Sequence, residues 1–302
     1  MGNTQSRIMI YRRYLHPIFI SILLFPLFSL QSCEKFSGDQ TIPAYLKIDS
    51  IYVVIQSSSQ GSASHNITDA WVYVDDELLG AFQMPAKFPV LKEGKHKVTV
   101  FAGIKKNGIA ATRTAYQFYA PITLEANFQP DSTTSLGTLH TTYLASTQFL
   151  WMENFENAGM TLDTTPRSSF AIIKTPSGSP LTFEGMHSGI ITMDTTSKEL
   201  ECVTHSAFKV PNAPVYLELN FNINTNLIIG TVIYVDASIV QEPIITLVPT
   251  NGKWKKIYIE LTNSLNNYAG ATAFKVYLQN DISSGTLNGQ ILLDNFKLVT
   301  RK

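Results

Sequence analysis

Gly252-Lys253-Trp254-Lys255-Lys256-Ile257-Tyr258-Ile259-Glu260-Leu261 alternates apolar and polar residues with a period of two. That period is the signature of a strand with one buried face, and it predicts a strand over 253–261. Ile257 and Ile259 share one face, while Trp254 and Tyr258 share the other. If the isoleucines face the core, the two aromatics face outward; in the opposite arrangement Trp254 fills the core. Working outward, β-branched and aromatic runs recur over 170–175, 189–194, 199–204, 215–222, 227–236, 244–248, 273–279 and 291–299. Upstream they recur over 45–55, 70–74, 78–82, 96–101, 112–120 and 122–128. No long stretch keeps a helical apolar period, so the chain is expected to be all-β. Asp75-Asp76-Glu77 is expected to turn a tight hairpin.

Composition narrows the function classes. The 302 residues carry 23 Lys+Arg against 23 Asp+Glu, and only 15% are charged. Typical globular chains hold about 25%, so polarity here comes mainly from Ser, Thr, Asn and Gln. A balanced charge without a basic cluster argues against nucleic acid as a partner. Two cysteines are too few for a disulfide scaffold or a cysteine-based zinc site.

The N-terminal 1–32 is expected to be a signal peptide. It carries Arg7, Arg12 and Arg13, no acidic residue, and an apolar run from Pro17 to Leu30 broken by Pro26. That run is shorter than the roughly 20 residues a membrane-spanning helix needs. It ends in Leu30-Gln31-Ser32-Cys33, which resembles the lipobox of bacterial lipoproteins, and in particular those of the Bacteroidota. The resemblance implies lipidation of Cys33, with 33–41 as a polar tether. It also implies an outer-membrane lipoprotein, periplasmic or surface-exposed, whose membrane partner is reached through the lipid. Loss of three arginines and no carboxylate leaves the mature chain at −3.

Two further resemblances concern the mature chain. Glu153-Asn154-Phe155-Glu156 at the start and Ile291-Leu-Leu-Asp294-Asn295-Phe-Lys-Leu298 at the close bracket the run quoted above. Together they resemble the galactose-binding-like, carbohydrate-binding-module jelly roll, here over 150–302. Ile67-Thr-Asp-Ala-Trp71-Val-Tyr-Val-Asp75-Asp-Glu-Leu-Leu-Gly80, then Pro85, then Gly94-Lys-His96-Lys-Val98-Thr-Val100, resembles the PEGA surface domain. Thr68-Asp69-Ala70 departs from that family's naming motif. The implied fold class is an immunoglobulin-like or PEGA-like sandwich over 42–129, followed by the C-terminal jelly roll. The Ser/Thr-rich 130–149 reads as a linker or a bridging strand.

Candidate site residues follow from chemistry. Glycan binding needs aromatic faces flanked by amides and carboxylates, which nominates Trp254, Tyr258, Tyr268 and Asn266, with Tyr277 behind them. In related jelly rolls an acidic residue on the first strand meets one on the last at a calcium site. Glu156 and Asp294 are therefore candidates for a structural calcium ion, although two carboxylates fall short of six to eight oxygens. Asp-(Ser/Thr) motifs resembling envelope O-glycosylation sites nominate Ser132 and Thr164, both expected in loops. No nucleophile elbow, zinc-binding His pair or phosphate loop is present, so no catalytic residue is assigned. Cys202 reads as a small buried hydrophobe. The expected function is a non-enzymatic envelope binder whose jelly roll takes a glycan. The alternatives are a structural or accessory subunit of an outer-membrane protein assembly and, third, a glycoside-active enzyme.

Overall fold

The computed structural model describes residues 42–194, 199–281 and 288–302. The signal peptide, Cys33 and the tether lie outside the described residues. The first part of the chain forms β1 (Ala44–Val53), β2 (Asp69–Val74), β3 (Glu77–Gln83), β4 (Ala86–Val90), β5 (Gly94–Lys105), β6 (Arg113–Ala115), β7 (Ile122–Phe128) and β8 (Thr133–Thr141). They make two sheets: β4-β1-β8, and β3-β2-β5-β6 with β7 also on β5. The second part forms β9 (Thr147–Glu153), β10 (Leu162–Thr164), β11 (Ile173–Lys174), β12 (Gly189–Met193), β13 (Glu199–Thr204), β14 (Phe208–Lys209) and β15 (Tyr216–Ile223). It continues with β16 (Leu227–Val235), β17 (Ser238–Leu247), β18 (Lys255–Glu260), a short helix α1 (Thr262–Asn266), β19 (Ala271–Asp281) and β20 (Gly289–Arg301). Two six-stranded sheets result, β10-β13-β19-β16-β17 with β14 on β19, and β11-β12-β20-β15-β18 with β9 on β20. The fold is all-β, an immunoglobulin-like sandwich followed by a jelly-roll sandwich. No helix among the described residues is long and apolar enough to cross a membrane.

Alternation sets each face. On β15, Leu217, Leu219, Phe221 and Ile223 enter the second core, and on β18 so do Ile257 and Ile259. The longest strand, β20, sends Ile291, Leu293, Phe296 and Leu298 into the same core. The spacing from Leu293 to Phe296 breaks period two, and Asn295 absorbs the extra residue at φ 49. This is a bulge, matched by a register shift opposite Glu218 and Asn220. The first core is built the same way, with Leu46, Ile48 and Ile51 of β1 against Val72, Val98 and Val100.

Several boundaries differ from the sequence expectation. Of 112–120, only Arg113–Ala115 forms a strand; Tyr119 makes an isolated bridge to Tyr143, and Tyr116, Phe118 and Tyr119 pack on the second sandwich. β4 has no counterpart among the strands expected from the sequence. Pro89 is tolerated because β4 is an edge strand pairing only with β1. Within 130–149, Thr133–Thr141 pairs in parallel with β1.

The Asp75-Asp76 hairpin has both central residues at positive φ, 51 and 66, the geometry of a type I′ turn. Asp75 is locked by His96, whose Nδ1 lies 2.6 Å from Asp75 Oδ2 while Nε2 lies 2.9 Å from the Glu93 carbonyl. Both partners are acceptors, so the geometry favours the imidazolium form, in which both ring nitrogens donate. The Glu93 carbonyl and Asp75 raise its pKa, against desolvation and nearby Lys92. A raised pKa gives a stabilisation fully present below the unfolded value of about 6.5 and lost as pH rises through the folded one. NMR titration of His96 is expected to give a midpoint above about 6.5 that falls in Asp75→Asn.

Candidate functional site

The site is built from the polar parity of β15, β18 and β20. With their apolar residues in the core, these strands turn Glu218, Asn220, Lys256, Tyr258 and Lys297 to the opposite face of the sheet. That face is not open to solvent. Tyr216, Tyr258 and Val299 pack into the first sandwich's core, and Glu218 and Lys297 are only 0% and 1% exposed. The loop between β5 and β6 seals the edge of β18: Asn107 N–H donates to the Tyr258 carbonyl at 2.8 Å, and Glu260 N–H donates to Asn107 Oδ1 at 2.8 Å. The two sandwiches thus enclose a polar trough whose floor is one jelly-roll sheet.

Glu218 is its hub. Tyr116 OH donates to its Oε1 at 2.8 Å, and Tyr143 OH lies 3.0 Å from both carboxylate oxygens. Lys256 Nζ sits 3.2 Å from Oε2 as an ion pair, off the alignment of a hydrogen bond. Burial lowers the pKa of Lys256 against the pull of Glu218. Burial likewise lowers Lys297 to about 8, again opposed by Glu218. Burial first, with the charge of Glu218 second, raises Tyr116 and Tyr143 well above the usual phenol range, so both remain donors. Asp294, on the same strand as Lys297, is raised by burial to about 7.

A serine-rich segment, Gln56 to Asn66, lies over the floor. Lys297 Nζ donates to the Ser62 carbonyl at 2.6 Å, and Asn220 Nδ2 donates to Ser64 Oγ at 2.9 Å. Asn66 N–H donates to Tyr258 OH at 3.0 Å, and its Nδ2 to the Lys256 carbonyl at 3.0 Å. Ser62 Oγ donates to Glu184. Beside the β18 edge lies a cleft of about 560 Å³, lined by Asn66, Lys105, Asn107 and Lys256 and also by Phe221, Ile257 and residues 245–248 at the end of β17. A second cavity, of about 170 Å³, includes Ser62, Asn154, Asn157, Asn295 and Lys297.

The residues nominated from sequence are dispersed. Tyr258 is on the outward parity but 1% exposed, hydrogen-bonded to Asn66 and Tyr119, so it is no open stacking platform. This corrects the aromatic-platform expectation: the outward face of one sandwich is the inward face of the pair. Trp254 is half-buried against Phe183, with ring centroids 5.1 Å apart. Asn266 is exposed at the end of α1, and Tyr268 packs against the second core, at the other end of β18 from Trp254. Tyr277 lies on the other jelly-roll sheet, pressed against Gly230, where a Cβ would meet it at 2.5 Å. Glu156 accepts from the Met186 and His187 N–H groups at 2.8 and 2.9 Å, and Asp294 accepts from Ser188 Oγ at 2.5 Å. Among the described residues no three His, Cys, Asp or Glu side chains cluster as metal ligands. Ser132 is an exposed loop residue; Thr164 is exposed but belongs to β10, paired with Cys202, so its loop expectation is corrected.

Glu218, Asn220, Lys256 and Lys297 were not foreseen. Their only signal is the polar parity of three strands, which is equally the pattern of a solvent-facing sheet.

No protein-family model matches the chain, and no curated protein matches it. Among solved structures it is similar to carbohydrate-binding modules of the beta-sandwich superfamily with promiscuous specificity. There the identity is 12%, covering 76% of this chain and 84% of that one, with a TM-score of 0.36. It is similar to the C-terminal family 22 carbohydrate-binding module of Clostridium thermocellum Xyn10B at 15% identity, 52% and 97% coverage and a TM-score of 0.36. A family 29 carbohydrate-binding module gives 11% identity, 52% and 92% coverage and a TM-score of 0.33. At such scores the functional reading rests on the trough's own residues.

Proposed function

We propose that the protein is a non-enzymatic, lipid-anchored envelope protein that binds a glycan in the trough between its two sandwiches. The observation that carries this reading is the trough itself. A row of carboxylate, amide, phenol and ammonium groups faces hydroxyls and amides, beside a cleft large enough for a sugar unit. Glycans are recognised by such donors and acceptors, and hydrogen bonds to charged groups contribute about 1.5–3 kcal/mol each. The cleft adds Phe221 and Ile257 as apolar wall and Asn66, Asn107, Lys105 and Lys255 as polar rim, the mixed lining of a small-molecule site. Glu218 is held by two tyrosines and a lysine inside the trough, an arrangement suited to fixing an orientation rather than to moving a proton. Anchoring through Cys33 would hold the cleft near the membrane.

Affinity electrophoresis with soluble xylan, galactomannan and polygalacturonate tests the reading. The wild-type chain is expected to be retarded by at least one of them. Lys105→Ala/Lys255→Ala, which removes two rim cations without touching either core, is expected to weaken that binding roughly tenfold, the loss of about 1.4 kcal/mol. Retardation by none, with folding confirmed by near-ultraviolet circular dichroism, rejects glycan binding. Unchanged affinity in the double variant moves the site elsewhere.

A further inference from the structure

We propose that residues 56–66 form a strap that occupies the trough in cis and lifts to admit a longer saccharide; this rests on reading the trough as a glycan site. The segment reads Gln56-Ser-Ser-Ser-Gln-Gly61-Ser-Ala-Ser-His-Asn66, so its surface is hydroxyls and amides, the groups a sugar chain presents. It belongs to no strand and makes only a short 3-10 turn, Ser58–Gln60. Neither apolar core includes any of its residues, whereas Ile55 and Ile67, on either side, both pack on the first core. The strap is therefore pinned at two ends and held between them by the polar contacts to Glu184, Asn220, Lys256, Tyr258 and Lys297.

Those contacts leave the floor incompletely satisfied. Asn220 Oδ1, on a residue 2% exposed, is buried without a hydrogen-bond partner, while Lys256 Nζ meets Glu218 in the 3.2 Å ion pair. Unpaired buried polar atoms are rare in native interiors and call for an explanation. An acceptor left open on a floor already touched by serine hydroxyls fits a ligand richer in hydroxyls than the strap. The strap also borders both spaces: Ser58, Gly61 and Ser62 line the smaller cavity and Asn66 the larger cleft. Lifting it would join them into one groove across β15, β18 and β20.

Gly61 gives a handle on the closed state alone. It sits at φ 68, and a Cβ there would come within 3.2 Å of both Lys297 Cε and Met152 Sδ. Gly61→Ala thus penalises the closed strap and leaves both cores intact. A left-handed penalty of the usual size raises the open population, and so the apparent affinity, roughly 5- to 30-fold while the closed state dominates. Ser62→Ala/Ser64→Ala removes two strap hydroxyls and tests the same equilibrium without backbone strain.

The experiment measures apparent Kd for xylan, galactomannan and polygalacturonate with wild type and both variants, alongside amide hydrogen exchange of 56–66. Tighter binding in both variants, with faster exchange in the strap and unchanged exchange in β15, β18 and β20, is the expected result. Equal affinities in all three proteins overturn the strap and leave glycan binding standing. Absence of binding by all three folded proteins removes the glycan reading and the strap with it.

Discussion

Glu218→Ala is expected to lower the unfolding free energy by about 3–5 kcal/mol, the cost of stranding a buried charge. Glu218 is 0% exposed, and among the described residues its carboxylate is the one counter-charge within ion-pair distance of Lys256, whose side chain is 2% exposed. Truncation would leave that ammonium, already pushed down in pKa by burial, without compensation. It would also orphan the hydroxyls of Tyr116 and Tyr143. A buried ion pair is not in itself a large stabiliser, since taking both charges from water offsets much of their attraction. The Glu218→Leu/Lys256→Met variant is therefore expected to recover most of the loss. Urea denaturation of the three proteins measures both numbers. A single-variant loss below about 1 kcal/mol would place the pair in the class of solvent-screened bridges and contradict a closed trough floor.

Cys33→Ser is expected to move the protein from the membrane pellet to the soluble fraction almost completely. If the apolar run before Cys33 is removed as a signal peptide, the lipid alone holds the chain, and each buried acyl CH₂ contributes about 0.8 kcal/mol to membrane binding. One chain alone anchors marginally and several anchor stably, so the effect of removing the acceptor thiol is close to all-or-none. Residues 33–41, nine in number, could span at most roughly 30 Å when extended, so a lipid on Cys33 would keep the chain that follows close to the bilayer. Ultracentrifugation, with mass spectrometry of the N-terminal peptide, reads the outcome. A Cys33→Ser chain that still pellets with membranes would show that the lipid is not the anchor.

The strands were largely legible because their apolar residues obey a period that burial imposes one sheet at a time. The run from Gly252 to Leu261 shows both the strength and the limit of that logic. Ile257 and Ile259 do enter the core, and Tyr258 does point the other way. Nothing in the period of a single strand records that a second sandwich caps its polar side. The contacts that cap it join residues far apart in sequence: Tyr116 to Glu218, Asn66 to Tyr258, Ser64 to Asn220. Such pairings arise only when two finished sheets dock, so the trough was invisible while its floor strand was plain. The segment 112–120 failed for the same reason. Its aromatics suit a strand locally, yet Tyr116 and Tyr119 are worth more against Tyr258 and Tyr143 than in the sheet. β4 was not among the expected strands, and its Pro89 is compatible with a strand only because β4 lies at an edge.

The most direct test of glycan binding between the sandwiches is NMR titration of the isotopically labelled chain with whichever polysaccharide fragment retards it. Side-chain amides of Asn66, Asn107 and Asn220 report on the cleft and floor; those of Gln241 and Gln279 report on the opposite jelly-roll sheet. Saturable shifts at Asn66 and Asn107, extending to Asn220 as the fragment lengthens, are the predicted result. Shifts confined to Gln241 and Gln279, with the three asparagines unmoved, would contradict it.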